Sequence, residues 1–172
     1  MATGGVPQLQ TERLLLREWR ETDADAYAAL TSDPEVMRYV GGVMDREQSW
    51  RSMALHAGHW TLRGYGNWVV ERGSDGALLG RAGLWNPEGW PGLEVGWTFA
   101  RSAWGHGYAT EAAGAAMQWA WTALNAPRLI SVIAPDNTAS ARVAERVGMR
   151  LLRSDELRGQ VVSIFGIERP VD

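Results

Sequence analysis

The chain has 172 residues, a length for one domain, since two cores cut from it would both be thin. Its formal charge is −3, so it carries no net positive field for a nucleic-acid backbone or an anionic membrane, and neither is expected as a partner. Lysine and arginine together count 17, every one of them arginine, and cysteine counts 0; Schiff-base and P-loop lysine chemistry, disulfides, thiolate nucleophiles and cysteine-held metals are excluded.

The opening Met1 to Val6 has neither the basic nor the apolar stretch of a leader. Residues 112–124, weakly polar and containing Gln118, are too short to span a bilayer. Cytoplasmic residence is the resulting expectation.

A first strand is predicted over 12–19, centred on Leu14, Leu15 and Leu16. Thr22 offers a cap for a helix over 23–30. Asp33-Pro34 joins a cap to proline at the first helical position, and that short helix ends at Gly41-Gly42. Asp45 and Gln48 resemble a capping box. The helix they open runs over 46–63 and puts Trp50, Met53, Ala54, Ala57 and Trp60 on one face. Three strands follow over 67–71, 78–85 and 93–99, the first two joined by the turn Gly73-Ser-Asp-Gly76. The longest helix covers 107–124, and its run Ala112-Ala-Gly-Ala-Ala116 can lie close against a sheet. A strand over 129–134, a helix over 137–147 and two strands over 149–153 and 161–168 complete the chain. The fourth and fifth strands are joined through a helix and should be parallel; hairpins make the rest mainly antiparallel. A mixed α/β layer structure follows.

The most specific stretch is Trp104-Gly-His-Gly-Tyr-Ala-Thr-Glu111, between an apolar strand and the longest helix. Gly105 and Gly107 allow close backbone approach, and the first N–H groups of the helix point back into the loop. That is an anion site suited to phosphate or pyrophosphate. A dinucleotide fingerprint would need glycine where Thr110 stands.

These residues resemble the GNAT superfamily of N-acetyltransferases, in the branch typified by RimJ/RimL ribosomal-protein acetylases. The superfamily's acetyl-CoA motif falls on Trp104 to Ala109, with Trp104 in place of the usual Gln or Arg. A second signature falls on Asn137-Thr-Ala-Ser140-Ala-Arg-Val143 and Gly148-Met149. Thr11-Glu-Arg-Leu-Leu-Leu-Arg17 and Asp33-Pro-Glu-Val-Met-Arg-Tyr39 also look like this branch, and the likeness covers residues 10–169.

The resemblance implies one GNAT domain over 1–172: an α/β fold with a mixed, mostly antiparallel sheet flanked by helices, its parallel fourth and fifth strands splayed. It implies acetyl-CoA as cosubstrate and no metal. Backbone groups of Trp97, Thr98 and Phe99 would meet the pantetheine arm. The N–H groups of Gly105, His106, Gly107, Tyr108, Ala109 and Thr110 would hold the pyrophosphate. His106 and Arg101 would add charge there, or stand as solvated loop residues. Asn137 would contact the pantetheine arm, cap its helix, or both. Arg142 would reach the 3′-phosphate or remain solvated.

Many superfamily members carry a Tyr general acid seven residues after this Asn; here the position is Ala144. Ser140 then becomes the candidate to assist thiolate departure, against the alternative of bonding back to its own helix. Glu94 is the candidate general base. It shares one face of its strand with Gly96 and Thr98, and the fifth strand, 128–133, offers no carboxylate. Its alternative is a solvent-facing pleat. His56 and His59 fall at helical spacing and read as surface rather than metal ligands. Most of the 10 tryptophans fill core, while Trp60, Trp85 and Trp90 are free to line an acceptor groove.

The activity implied is direct acetyl transfer to a primary amine such as a protein N-terminus, by a monomer or homodimer. An aminoglycoside or other small amine is the alternative acceptor. A CoA-binding module without catalysis is the alternative class. The acceptor would lie between residues 31–42 and the turn 154–160.

Overall fold

The computed structural model describes residues 5–171. Met1 to Gly4, most of the segment read for a leader, and Asp172 lie outside the described residues.

The strands are β1 (Leu9–Gln10), β2 (Leu14–Arg17), β3 (Asn67–Arg72), β4 (Leu78–Trp85), β5 (Glu94–Phe99), β6 (Arg128–Ile133), β7 (Arg150–Leu157) and β8 (Gln160–Glu168). They form one sheet in the order β1-β2-β3-β4-β5-β6-β8-β7. Among the described residues only β5 and β6 pair in parallel, as the helical crossover between them requires. The strand expected over 12–19 is confined to β2, 14–17, and an unforeseen two-residue strand, β1, precedes it. Thr11 Oγ1 accepts the Leu14 N–H at 3.0 Å and closes a turn between them. Trp19 lies past the strand, its indole donating to the Asn67 carbonyl at 2.9 Å.

Side-chain alternation gives the sheet two unlike faces. Leu14, Leu16, Trp68, Val70, Val95 and Phe99 belong to the main core. Helix α4 (Tyr108–Ala123) packs on that face through Ala112, Ala113, Ala116 and Ala120, each fully buried. With no bulk beyond Cβ, these residues let the helix axis come close to β4 and β5. Trp60, Trp68 and Trp119 meet edge to face with centroids 4.8–5.6 Å apart.

Helices α1 (Ala24–Thr31), α2 (Pro34–Met37) and α3 (Arg46–Arg63) belong to the other side, where Tyr27, Leu30, Met37 and Met53 form a second cluster. Thr22 does not cap α1. It sits in a 3-10 turn, Glu21–Asp23, and the Asp23 carboxylate takes the Arg20 N–H at 2.7 Å. Asp33 caps α2 through the Glu35 N–H at 2.9 Å, and α2 is a single turn that stops before the two glycines. Asp45 and Gln48 bond reciprocally at the start of α3, and left-handed Gly64 ends it. The buried stripe of α3 is Ser49, Met53, His56, His59 and Trp60, while Trp50 is 48% exposed. The two histidines go inside because each finds an aromatic ring: His56 stacks on Trp19 and His59 on Trp85.

Helix α5 (Thr138–Arg146) precedes the β7–β8 hairpin. Residues 154–157, expected in a turn, are paired strand. Arg158 and Gly159 both take positive φ, 52° and 78°, so two residues suffice for the turn. Among the described residues no helix is long and apolar enough to cross a membrane.

Candidate active site

The site begins where β5 and β6 part. They share one register point, Glu94 opposite Ile130, and the Ile130 N–H donates to Leu93 O at 3.0 Å. Beyond it side chains replace the ladder. Ser131 Oγ donates to the Val95 carbonyl at 2.6 Å, and the Val132 N–H donates to Glu94 Oε1 at 3.1 Å. Backbone alternation turns the polar groups of residues 93, 95, 97 and 99 toward β6 and those of 94, 96 and 98 toward β4. The Phe99 carbonyl accepts from Trp104 Nε1 at 2.9 Å. Trp97 therefore offers both N–H and C=O to the opening, and Phe99 offers its N–H. Thr98 lines the cleft, but its own amide faces β4, where Thr98 pairs with Arg81.

The opening leads into a cleft of about 500 Å³. Its walls include Trp97, Thr98 and Phe99 from β5, Gly105, Gly107, Tyr108, Ala109 and Thr110 from the loop and α4, and Asn137, Ser140 and Arg142 at the start of α5. Gly107 takes φ 79° at the N-cap of α4. The Glu111 N–H is bonded to Gly107 O at 3.1 Å, so the three helical N–H groups ahead of it face outward from the helix end. Thr110 Oγ1 is buried and has no hydrogen-bond partner. A phosphate oxygen accepting from this hydroxyl and these amides would satisfy them together, so the residues fit a pyrophosphate.

The loop is held from below by Arg13. Its Nη1 donates to the His106 carbonyl at 2.9 Å, its Nε to Glu111 Oε2 at 2.7 Å, and its guanidinium lies 4.7 Å from the Tyr108 ring centroid. Glu111 Oε1 also accepts from Thr11 Oγ1 at 2.6 Å. The stretch Thr11-Glu-Arg13 thus has a physical job that sequence reasoning missed. In the sequence it stands out as a stretch resembling the RimJ/RimL branch, with nothing to pair Arg13 with Glu111. His106 is not in the cleft wall; its ring stacks on Tyr108, 5.5 Å between centroids. Arg101 pairs with Asp33 at 2.8 Å and is not in the wall either. Arg142 is joined there by Arg38 and Arg146, also unforeseen. None of these three forms an ion pair among the described residues. Tyr39, on the same wall, donates its hydroxyl to the Asp136 carbonyl at 3.3 Å and ties the segment after α2 to the start of α5.

Asn137 Oδ1 accepts the Ser140 N–H at 3.2 Å, so Asn137 caps α5 and lines the cleft at once. Ser140 is half-buried, and no bond from its hydroxyl back to the helix is formed.

Glu94 lies on the opposite face of β5 from α4. It is not at a solvent-facing pleat: Trp90 Nε1 donates to Oε2 at 2.7 Å while Val132 holds Oε1. Burial pushes its carboxyl up to about 7, against the lowering effect of those two donors and of the Arg81 charge. Each oxygen keeps a lone pair for a further donor. Burial also holds His56 and His59 below the usual histidine range. His59 Nε2 accepts from the Asn86 N–H at 3.3 Å, which makes Nδ1 the donor to Tyr65 O at 2.7 Å. Among the described residues no three His, Asp or Glu side chains converge as a metal site.

The family model for the acetyltransferase (GNAT) domain matches residues 13–150. The protein YkkB of Bacillus subtilis is 32% identical over 166 residues, covering 92% of this chain and 94% of its own. An acetyltransferase from Agrobacterium tumefaciens superposes with a TM-score of 0.87 at 31% identity, covering 98% of each chain. RimJ of Mycobacterium smegmatis, solved in complex with CoA-disulfide, shares the fold at 23% identity, with a TM-score of 0.74 over 90% of this chain and 81% of its own. With the β5–β6 opening, the glycine loop and a family match over most of its length, this chain belongs to the GNAT acetyltransferase family.

Proposed function

We propose that this protein, working as a single domain, transfers acetyl directly from acetyl-CoA to a primary amine. The observation that carries the reading is the convergence on one cleft of the unpaired Trp97 amide, the orphan Thr110 hydroxyl and the N-terminal amides of α4. Acetyl-CoA supplies an activated thioester carbonyl. The Trp97 carbonyl, the Phe99 N–H and Asn137 suit the pantetheine amides. The loop amides of 105–110 suit the pyrophosphate, and Arg142 beside Arg38 and Arg146 suits the 3′-phosphate.

Glu94 takes the proton that the acceptor nitrogen gives up, directly or through a water. As the N–C bond forms, the Trp97 N–H holds the carbonyl oxygen. As the C–S bond breaks, the Ser140 hydroxyl hydrogen-bonds the thiolate. Direct transfer agrees with the absence of cysteine, which leaves no thiol for an acyl-enzyme. A protein N-terminus, the acceptor implied by the RimJ/RimL resemblance, and a small amine both present the required group. Glu94 where β5 and β6 part and Ser140 in the cleft wall favour an enzyme over a module that only binds CoA.

The test is thiol release from acetyl-CoA with peptides bearing N-terminal Ala, Ser or Thr and with small amines, alongside melting temperature in CoA. Turnover is expected with at least one amine, and CoA at about 100 times its Kd should add roughly 2.7 kcal/mol of stability. Gly107→Val should lose that stabilisation, because a branched side chain at φ 79° is strained and crowds the pyrophosphate loop. A CoA shift that survives Gly107→Val would remove the cofactor from this loop. No release with any amine would leave only a CoA-binding module.

A further inference from the structure

Three cross-strand pairs of β4 and β5 share the face turned away from α4: Arg81 with Thr98, Gly83 with Gly96, and Trp85 with Glu94. The middle pair has no side chains. Gly83 is fixed by the backbone, since a Cβ there would lie 2.4 Å from Gly66 O. Gly96 has no such neighbour. A Cβ at Gly96 would meet only the Glu94 carboxylate, at 3.8 Å. The space above Gly96 is therefore open, with the Glu94 carboxylate beside it.

Arg81 stands at the other end of the glycine pair, on β4 opposite Thr98. Its Nη1 donates to Asn67 Oδ1 at 3.3 Å, and Asn67 is the residue opposite Gly83 on β3. The guanidinium thus reaches along β4 to the Asn67 side chain beside Gly83, and its Nε is buried without a hydrogen-bond partner. Arg81 forms no ion pair among the described residues, not even with Glu94. Arg17, on the same face, shows how this fold treats a buried arginine that serves structure: it is held by Asp23 at 2.7 Å and Glu71 at 2.5 Å. His56 borders the same region, its ring 5.1 Å from Trp85 and its Nδ1 also buried without a partner. A carboxylate and a guanidinium without an ion pair thus stand on one face of β4 and β5, the charge of Arg81 felt at Glu94 and two glycines set between them, and buried donors of this kind are costly until something accepts from them.

We propose that the acetyl acceptor is a free amino acid, its amine at Glu94 and its carboxylate on Arg81, lying over Gly83 and Gly96. This deepens the transferase reading and rests on it. A guanidinium recognises a carboxylate by two parallel N–H···O bonds, which a carboxamide cannot reproduce. A polyamine or aminoglycoside would bring positive charge to Arg81 and be repelled.

The experiment compares each free amino acid with its carboxamide as acceptor, by thiol release from acetyl-CoA and by calorimetric titration into CoA-saturated protein. The expected result is an amino acid with kcat/KM roughly tenfold to a hundredfold above its amide, carried by KM. In Arg81→Gln that ratio should collapse toward one; the CoA-induced rise in melting temperature reports that the variant is folded. An amide or polyamine used as well as the amino acid by the wild type overturns the proposal and leaves the transferase standing. So does an acid preference that Arg81→Gln retains. If no amino acid binds or is acetylated while a peptide N-terminus is, the proposal also fails and the transferase stands. Absence of transfer to any amine removes both.

Discussion

On one face of β5, Val95 and Phe99 pack against α4 residues that have no side chain beyond Cβ, and the contact is dry. On the other face, one residue along, Glu94, Gly96 and Thr98 meet Arg81, Trp90 and the open space above Gly96. The dry face holds the strand by shape, so its tolerance for added volume is low. The polar face holds charge where charge is costly, and only ligands or exact hydrogen-bond partners can offset that. A strand with these two faces can keep its position against α4 while its edge parts from β6 and its polar side meets a substrate.

The largest break in this contrast should come from Glu94→Gln. Loss of a general base costs ~10²–10⁴-fold in turnover. The amide is not a silent replacement here. Both Glu94 oxygens accept from protein N–H groups, those of Trp90 and Val132. A glutamine can accept through one oxygen and must point its NH₂ at the other donor. The opening between β5 and β6 should loosen, and the CoA-induced melting shift should shrink as well. The pH dependence carries a second signature. The folded carboxyl is raised from 4.5 to about 7, so the folded state holds more protons than the unfolded chain between those values. Glu94 therefore favours the folded state at low pH, and its contribution to stability falls as pH rises through that window. Glu94→Gln should remove this downward slope from a plot of stability against pH. Wild-type turnover with an unchanged slope would leave Glu94 without either role.

On the dry face, Ala113→Leu inserts three carbons between α4 and the sheet at a position with no exposed surface. Overpacking of this kind costs about 1–3 kcal/mol. Denaturant unfolding should show it as a lower midpoint with an unchanged slope. A neutral Ala113→Leu would mean that α4 can move away from the sheet, and the contrast between the faces would be smaller than the packing indicates.

Much of this division could be read from residue order alone. The alternation of Leu93, Val95, Trp97 and Phe99 against Glu94, Gly96 and Thr98 is a property of any strand, and it separated the two faces correctly. The alanine run and the glycine loop likewise dictate close packing and a bare helix end. What stayed hidden was pairing over long separations. Nothing local links Arg13 to Glu111, or tells that Arg17 has two carboxylates while Arg81 has none. The stripe of α3 was misjudged for the same reason: Trp50 is the more apolar residue, but His56 and His59 had rings waiting for them on β4 and after β2. Phe99 shows the limit at the site itself. Its carbonyl is open by strand geometry and closed by the indole of Trp104, five residues on.

The smallest effect is expected at Ser140, on the far wall of the opening. The residue is half-buried in the cleft wall, while its own N–H is already bonded to the Asn137 cap. The cap does not involve the hydroxyl, so Ser140→Ala should leave α5 intact and change melting temperature little. A thiolate needs a hydrogen bond only as it departs, so the loss should fall on kcat with CoA binding nearly unchanged. A thiolate is already a fair leaving group, and a sulfur still part-bonded in the transition state feels only a fraction of the about 1.5–3 kcal/mol of a hydrogen bond to a full charge, so roughly a twofold to tenfold drop in kcat is the expected scale. The drop should be smaller than that of Glu94→Gln, because proton removal from the amine is required for attack, whereas the hydroxyl only eases a departure that can proceed without it. Turnover and melting temperature measured on the same variant separate the possibilities. Unchanged kcat would take Ser140 out of the chemistry and leave departure to the α5 end and solvent. A large stability loss would mean that the hydroxyl had been holding the helix after all.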